Sequence, residues 1–310
     1  MTKKDKDLIV LGALNMDLVI ETERLALSGE TFPGNYFYTA PGGKGGNQAV
    51  AAVRSNGGNC DVHMVGCIGD DLFGSQLTVF LEKDKVNSEN IVVVPGVSSG
   101  IAIIFILPNG ENHVNPVYGA NDFCDKNQLN SVQKLLKNSG VLLVQQEIPI
   151  QTTFQSLKLA KKNLVKTILD PAPNRIVPDD FYYYVDVITP NETEALYLSG
   201  IEINDLNDAE KAAKIIQKKG PKSVVITLAS KGVWVLSDQF EGHVQPFKVD
   251  TVASVAAGDA FNGCLSSRLL QGFGFEESVR FACAGGAICA SRSVSQTAMA
   301  FLEEIETIMS

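Results

Sequence analysis

Ala256-Ala257-Gly258-Asp259-Ala260-Phe261-Asn262-Gly263-Cys264-Leu265-Ser266-Ser267-Arg268-Leu269-Leu270 opens on small residues, carries one early carboxylate, and then repeats Phe261, Leu265 and Leu269 four apart. That spacing predicts an amphipathic helix over 258–270 with one apolar stripe. Outward from it, short β-rich runs at residues 8–11, 141–144, 167–169, 187–188 and 224–227 alternate with longer stretches of helical period. Such alternation is the signature of a mostly parallel sheet covered by helices, an α/β architecture. Near-continuous Val and Ile runs fit strands buried on both faces.

Two segments break the rhythm. Residues 17–38 and 100–118 read as extended, hairpin-forming pieces with no crossover helix, and the second turns at Pro108-Asn109-Gly110. They predict a small β appendage over the main domain, formed by about residues 15–40 and 98–118. It is either a lid or an edge sheet without function. No internal repeat or low-complexity linker marks a second domain, so residues 1–310 read as one.

With 45% hydrophobic residues the chain can bury a substantial core, and its net charge of −9 disfavours nucleic acid and anionic lipid as partners. No apolar run approaches the roughly 20 residues that span a bilayer, and the short run after the basic N-terminus reads as a first strand rather than a signal peptide. Six cysteines without a C-x-x-C pair and three scattered histidines argue against zinc. Reduced, core-forming thiols predict a cytoplasmic protein.

Three clusters carry possible chemistry. Gly42-Gly43-Lys44-Gly45-Gly46-Asn47 precedes a predicted helix over 48–55, which places backbone N–H groups and an amide at a helix start. It is not a Walker A loop, because no G-x-x-x-x-G-K-[ST] occurs in the chain. In Ala256-Ala257-Gly258-Asp259 the helix-start amides of Ala257, Gly258 and Asp259 can form an anion hole and Asp259 can take a hydroxyl proton, or Asp259 merely caps its helix. In Thr189-Pro190-Asn191-Glu192-Thr193-Glu194, after an apolar strand, Asn191 and Glu194 share a helix face. They suit Mg²⁺ held through water and phosphates; alternatively Thr193 or Asn191 satisfies helix N–H groups with no metal.

Together and in order, Asn15-Met16-Asp17, 42–47, Gln146-Glu147, Asp170-Pro171-Ala172-Pro173, 189–195, 227–234 and 256–263 resemble the PfkB carbohydrate-kinase family over essentially the whole chain. The resemblance implies a doubly wound α/β domain with a β-sheet lid, and a homodimer joined through that lid. It points within the family to kinases acting on ribose. It implies a sugar site at Asn15, Asp17, Gly43, Lys44, Asn47 and Glu147, with Ala102 and Ile104 as an apolar wall and Asp259 as catalytic base. ATP is then expected along Asn191, Thr227, Ala229, Lys231 and Gly232, its adenine near Cys283 and Gly286, with Mg²⁺ by Asn191 and Glu194. The reaction so implied is transfer of the ATP γ-phosphoryl group to the 5-hydroxyl of D-ribose. The rivals are a family kinase for 2-deoxyribose, fructose or adenosine, and a sugar-binding sensor without catalysis. One departure stands out: where the family binds an activating potassium ion, Ala253 and Ala298 replace expected ligands. Asp250, read as a strand residue three positions before Ala253, points to the opposite face, so weak potassium dependence is expected.

Overall fold

The computed structural model describes residues 6–109, 112–252, 255–292 and 296–310. The first part of the chain runs through β1 (Asp7–Leu11), β2 (Asn15–Glu21), β3 (Tyr36–Gly42), α1 (Lys44–Ser55), β4 (Val62–Gly69), α2 (Leu72–Lys83) and β5 (Asn87–Val94). There follow β6 (Gly100–Ile106), β7 (Asn112–Val117), α3 (Lys126–Leu135), β8 (Ser139–Val144), α4 (Ile150–Lys162), β9 (Lys166–Leu169) and β10 (Val187–Ile188). The last part holds α5 (Glu192–Ser199), α6 (Leu206–Gln217), β11 (Ser223–Thr227), β12 (Val233–Leu236), β13 (Glu241–Val244), α7 (Ala257–Leu270), α8 (Phe275–Ala290) and α9 (Leu302–Met309).

Among the described residues, nine strands form one sheet in the order β13-β12-β11-β10-β9-β8-β1-β4-β5. The strands from β11 to β5 are parallel, and β12 and β13 add an antiparallel edge. β1 is the pivot: its four apolar residues, Leu8, Ile9, Val10 and Leu11, are all fully buried, as a strand covered on both faces requires. From β1 the chain winds outward through β4 and β5, then returns at β8 and winds the other way. The gap between the carboxyl ends of β1 and β8 is therefore the topological switch point, where open α/β sheets bind ligands. Two apolar cores fill the opposite faces of this sheet.

A second sheet has the order β3-β2-β6-β7. The pairs β2–β3 and β6–β7 are antiparallel, as the extended segments predict, and β2 joins β6 in parallel. Its register sets Asp17 beside Ala102 and Val19 beside Ile104. The turn residue Gly110 lies outside the described residues.

Three local expectations need correction. α1 starts at Lys44 rather than Gln48, so Gly45, Gly46 and Asn47 are helical. α7 is not an amphipathic surface helix: every residue from Asp259 to Ser267 is buried, because α7 lies between α1 and α8. Its apolar stripe is real but its polar face is covered too. A Cβ at Gly263 would stand 2.6 Å from the Gln48 carbonyl oxygen, so only glycine lets the two helices approach this closely. Asp250, finally, lies outside any strand and is exposed, so the alternation argument about its direction does not apply.

Candidate active site

The switch point gathers the loops that follow β1, β8, β9 and β10. After β1, a buried turn leads to Asn15 and Asp17 on β2, 2% and 6% exposed. Asn121, fully buried and more than a hundred residues away, holds that turn: its Oδ1 accepts from the Leu14 N–H at 2.9 Å, and its Nδ2 donates to the Leu14 carbonyl at 3.0 Å and to Asn15 Oδ1 at 2.9 Å. Across the turn lies Gly43, the residue before α1, with φ of 80°. A Cβ there would sit 2.7 Å from the Asn15 nitrogen and 2.8 Å from the Ala13 oxygen. The glycine-rich run thus allows backbone to pack on backbone, and this brings the start of α1 to Asn15 and the turn before it.

Glu147, after β8, accepts from the Lys44 backbone N–H at 3.0 Å. Asp170, after β9, takes the Lys44 ammonium at 3.1 Å. On the far side, Asp259 is buried in the first turn of α7, where Asn47 Nδ2 donates to its Oδ2 at 2.9 Å and Gln48 Nε2 to its Oδ1 at 2.9 Å. Among the described residues no side-chain bond caps α7, whose N-cap is Ala256, left-handed at φ 64°, with Gly258 exposed. The capping alternative for Asp259 is therefore set aside. The amides of Ala257, Gly258 and Asp259 belong to the first turn, which as in any helix lacks intrahelical acceptors.

The electrostatics follow from packing several carboxylates around one cation. Burial, then the charges of Glu147 and Asp259, push the Asp17 carboxyl up to about 7. Burial also lifts Glu147 to about 7 against the pull of Lys44, and Glu194 to about 7 with Asp170 adding to the rise. Burial raises Asp170 as well. Burial disfavours the Lys44 charge, yet the carboxylates Asp170, Asp259, Glu147 and Glu194 outweigh it and hold the ammonium well above its ordinary range. Asn47 Oδ1 is buried without a partner, which suits a ligand hydroxyl that can donate to it. Ala102 and Ile104 pack with Val19 into a small buried apolar cluster on the strand beside Asp17.

The expected nucleotide residues form a second group. Asn191 bridges to Thr227, and the Thr227 N–H donates to the Pro190 carbonyl at 2.9 Å. Lys231 pairs with Glu192 at 3.1 Å; Ala229 and Lys231 are exposed and Gly232 is buried at φ 91°. Cys283 and Gly286 lie on α8, where a Cβ at Gly286 would be 3.2 Å from the Ala257 oxygen, so this part of α8 borders the start of α7. Asn191 and Glu194 form a reciprocal cap: Asn191 Oδ1 accepts from the Glu194 N–H at 2.8 Å, and Glu194 Oε2 from the Asn191 N–H at 2.9 Å. Engaged in this way, they fit an Mg²⁺ ion only through water. No group of three or more acidic, His or Cys side chains that could hold a metal occurs among the described residues. Ala298 is buried on a short 3₁₀ turn, and Ala253 lies outside the described residues.

Several residues of this site escape a local reading. Gln48, Gln145, Asp170 and Asn121 are all buried here, and Asn262 links the two groups by accepting from the Thr189 hydroxyl at 2.6 Å while donating to the Gly258 carbonyl at 3.0 Å. The stretches Asp170–Pro173 and Gln146-Glu147 marked the neighbourhood; nothing local marked Asn121.

Comparison with known proteins finds relatives that cover nearly the whole chain. A ribokinase of Haemophilus influenzae is 36% identical over 299 residues, covering 96% of this chain and 97% of that protein. A deoxyribokinase of Salmonella typhi is 31% identical over 306 residues, covering 98% and 99%. A structure of Arabidopsis thaliana ribokinase complexed with ribose and ATP superposes with a TM-score of 0.89 at 27% identity, covering 98% of each chain. The model of the pfkB family of carbohydrate kinases matches residues 5–300, and with that match over nearly the whole length the chain belongs to the pfkB carbohydrate-kinase family.

Proposed function

We propose that the protein transfers the γ-phosphoryl group of ATP to the 5-hydroxyl of D-ribose, giving ribose 5-phosphate. The observation that carries this reading is the convergence of Asn15, Asp17, Asn47, Glu147 and Asp259 at the switch point, with the unpartnered Asn47 Oδ1 among them. A polyhydroxyl ligand wants carboxylates and amides, each able to take a hydrogen bond, and a site built this way rejects analogues lacking a hydroxyl. Ala102 and Ile104 supply the apolar side.

Asp259 takes the proton of the attacking hydroxyl, and the amides of Ala257 and Gly258 receive the spreading phosphoryl charge. ATP lies along Asn191, Thr227, Ala229, Lys231 and Gly232 with its base toward Cys283 and Gly286. Asn191 and Glu194 would hold Mg²⁺ through water, and the ion would supply charge neutralisation to the phosphates. The β2–β3 and β6–β7 sheet closes over the sugar and excludes water. Its outer strands expose Tyr36, Phe37, Val114 and Val117, which supports a homodimer through this sheet. Six free cysteines suit a reducing, cytoplasmic setting. With Ala298 in place of a polar ligand, turnover should depend little on potassium; saturable activation of several-fold over a bulky organic cation contradicts this.

ADP release with ribose, 2-deoxyribose, fructose and adenosine tests the reading. Ribose is expected to give the highest kcat/KM. A preference for 2-deoxyribose moves the assignment to the activity that the Salmonella relative's name carries, and no turnover with any acceptor favours a sensor.

A further inference from the structure

Lys44 and Gln48 stand one turn apart on α1 and reach the same two oxygens. Gln48 Nε2 lies 2.8 Å from Asp170 Oδ2 and 2.9 Å from Asp259 Oδ1, while Lys44 Nζ lies 3.1 Å from the first and 3.6 Å from the second. Two donors thus alternate with two carboxylates in a closed ring. The sense of the Gln48 amide follows from chemistry: ionised carboxylates only accept, so the NH₂ group, with one hydrogen for each, must face both. Its Oε1 then accepts from Gln145 Nε2 at 2.6 Å. Gln48 and Gln145 are both fully buried, so neither can exchange these bonds for water. The space for Gln145 depends on Gly12, where a Cβ would fall 1.9 Å from Gln145 Oε1.

The two donors on Asp259 Oδ1 are not equivalent. The Lys44 side chain is 26% exposed, and its 3.6 Å separation is too long for a hydrogen bond, so an arriving polyol can draw it away. Gln48 has no such freedom. Asn47 restrains the other oxygen, Oδ2, from the preceding position of the same helix. Neighbouring residues of α1 therefore grip both oxygens of one carboxylate, with Gln145, the residue after β8, locking the second grip.

We propose that Gln48, its amide held by Gln145, is a positioning residue for Asp259, setting the carboxylate plane that meets the sugar hydroxyl. The inference rests on Asp259 being the base. Displacement of a reacting group by an ångström can cost about 10²-fold in rate, so a Gln48→Met variant, similar in length but without the donor, should lose about 10- to 100-fold in kcat. The KM for ribose should move less than about threefold, because Gln48 acts through Asp259 and not through the sugar.

The decisive experiment is a double-mutant cycle with ribose as acceptor and kcat and KM read separately. In an Asp259→Asn background, Gln48→Met should cause no further loss in kcat, since residues acting as a unit are non-additive. An equal fold-loss in both backgrounds, or a raised KM with kcat unchanged, means that Gln48 only supports the fold and overturns the proposal. If Gln48→Met does not fold, Gln145→Met decides instead: about a 3- to 10-fold fall in kcat that vanishes in the Asp259→Asn background is expected from partial loss of orientation, and unchanged kcat overturns the proposal. Full turnover in Asp259→Asn alone contradicts the base assignment rather than the role of Gln48, so the two failures are distinct.

Discussion

The two halves of the site are built differently. In the acceptor half, the bonds that matter join residues far apart in sequence: Lys44 to Glu147 over 103 positions, Asn121 to Asn15 over 106, and Gln48 and Asn47 to Asp259 over 211 and 212. In the proposed nucleotide half they span fewer positions, three between Asn191 and Glu194 and 39 between Lys231 and Glu192 at the surface. The acceptor half is buried and preorganised by the whole fold, which suits discrimination and proton transfer. The proposed nucleotide half is a shelf of loop ends and one helix cap, with Ala229 and Lys231 exposed.

If that contrast is right, substitutions in the acceptor half should carry the large effects. Asp259→Asn should fold normally and lose roughly 10²- to 10⁴-fold in turnover, the usual worth of a general base. Sugar affinity should change far less, and near-normal turnover would remove the mechanism. Asp17→Ala should weaken ribose binding by about 1.5 to 3 kcal/mol, because a charged acceptor of hydroxyl donors is lost, while ATP binding stays close to wild type. Calorimetry showing equal ribose affinity in the two proteins takes Asp17 out of the site.

The raised carboxyls Asp17 and Glu147 give the acceptor half a pH signature that can be read through ribose binding. Asp17 and Glu147 are raised to about 7 when free, and hydroxyls donating to them favour their ionised forms. Ribose binding should therefore release protons near neutrality and tighten by several-fold from about pH 6 to 8. Calorimetry in buffers of different ionisation enthalpy reads the proton count, and uptake of protons is the contrary result. The same shifts act on stability with a definite sign. A carboxyl raised in the folded state binds its proton more tightly there than in the unfolded chain, so its contribution is full below the unfolded value of about 4 and is lost as pH rises through about 7. The sugar-free protein should melt lower at pH 8 than at pH 5.5 on account of these groups.

The smallest effect belongs to the nucleotide half. Asn191→Ala removes a helix cap and should cost about 1 kcal/mol of stability with ribose affinity unchanged. A large loss of ribose affinity in this variant would erase the distinction between the halves.

What the sequence made legible follows the same division. Local periodicity located β1, β8, β9, β10 and β11 of the large sheet, because buried parallel strands write themselves as short apolar runs. A cap by Asn191 was one of two local readings there, but its reciprocal partner Glu194 emerges only in the structure. The resemblance to a family supplied the acceptor-site positions, since nothing in Asn15 or Glu147 by itself announces a partner a hundred residues away. Neither local pattern nor resemblance exposed Gln48 and Asn121, whose roles exist only once α1, α7 and the turn after β1 are packed together. The helical start at Lys44 was missed because Gly45 and Gly46 are poor helix formers, and only contact with the 12–15 backbone makes helix the better outcome there. The apolar stripe of α7 is correct in phase, but the rest of the helix is buried too: the Ser266 hydroxyl donates to the Asn262 carbonyl at 2.7 Å and so needs no water.

The most direct test of the account is the position of the transferred phosphate. Carbon-13-labelled ribose, ATP and Mg²⁺ incubated with the protein should give one product whose carbon-5 signal is split by phosphorus, and the Asp259→Asn protein should give almost none in the same time. Phosphate on any other carbon, or ADP released with the ribose left unmodified, would contradict the assignment of the buried acceptor site to the 5-hydroxyl of ribose.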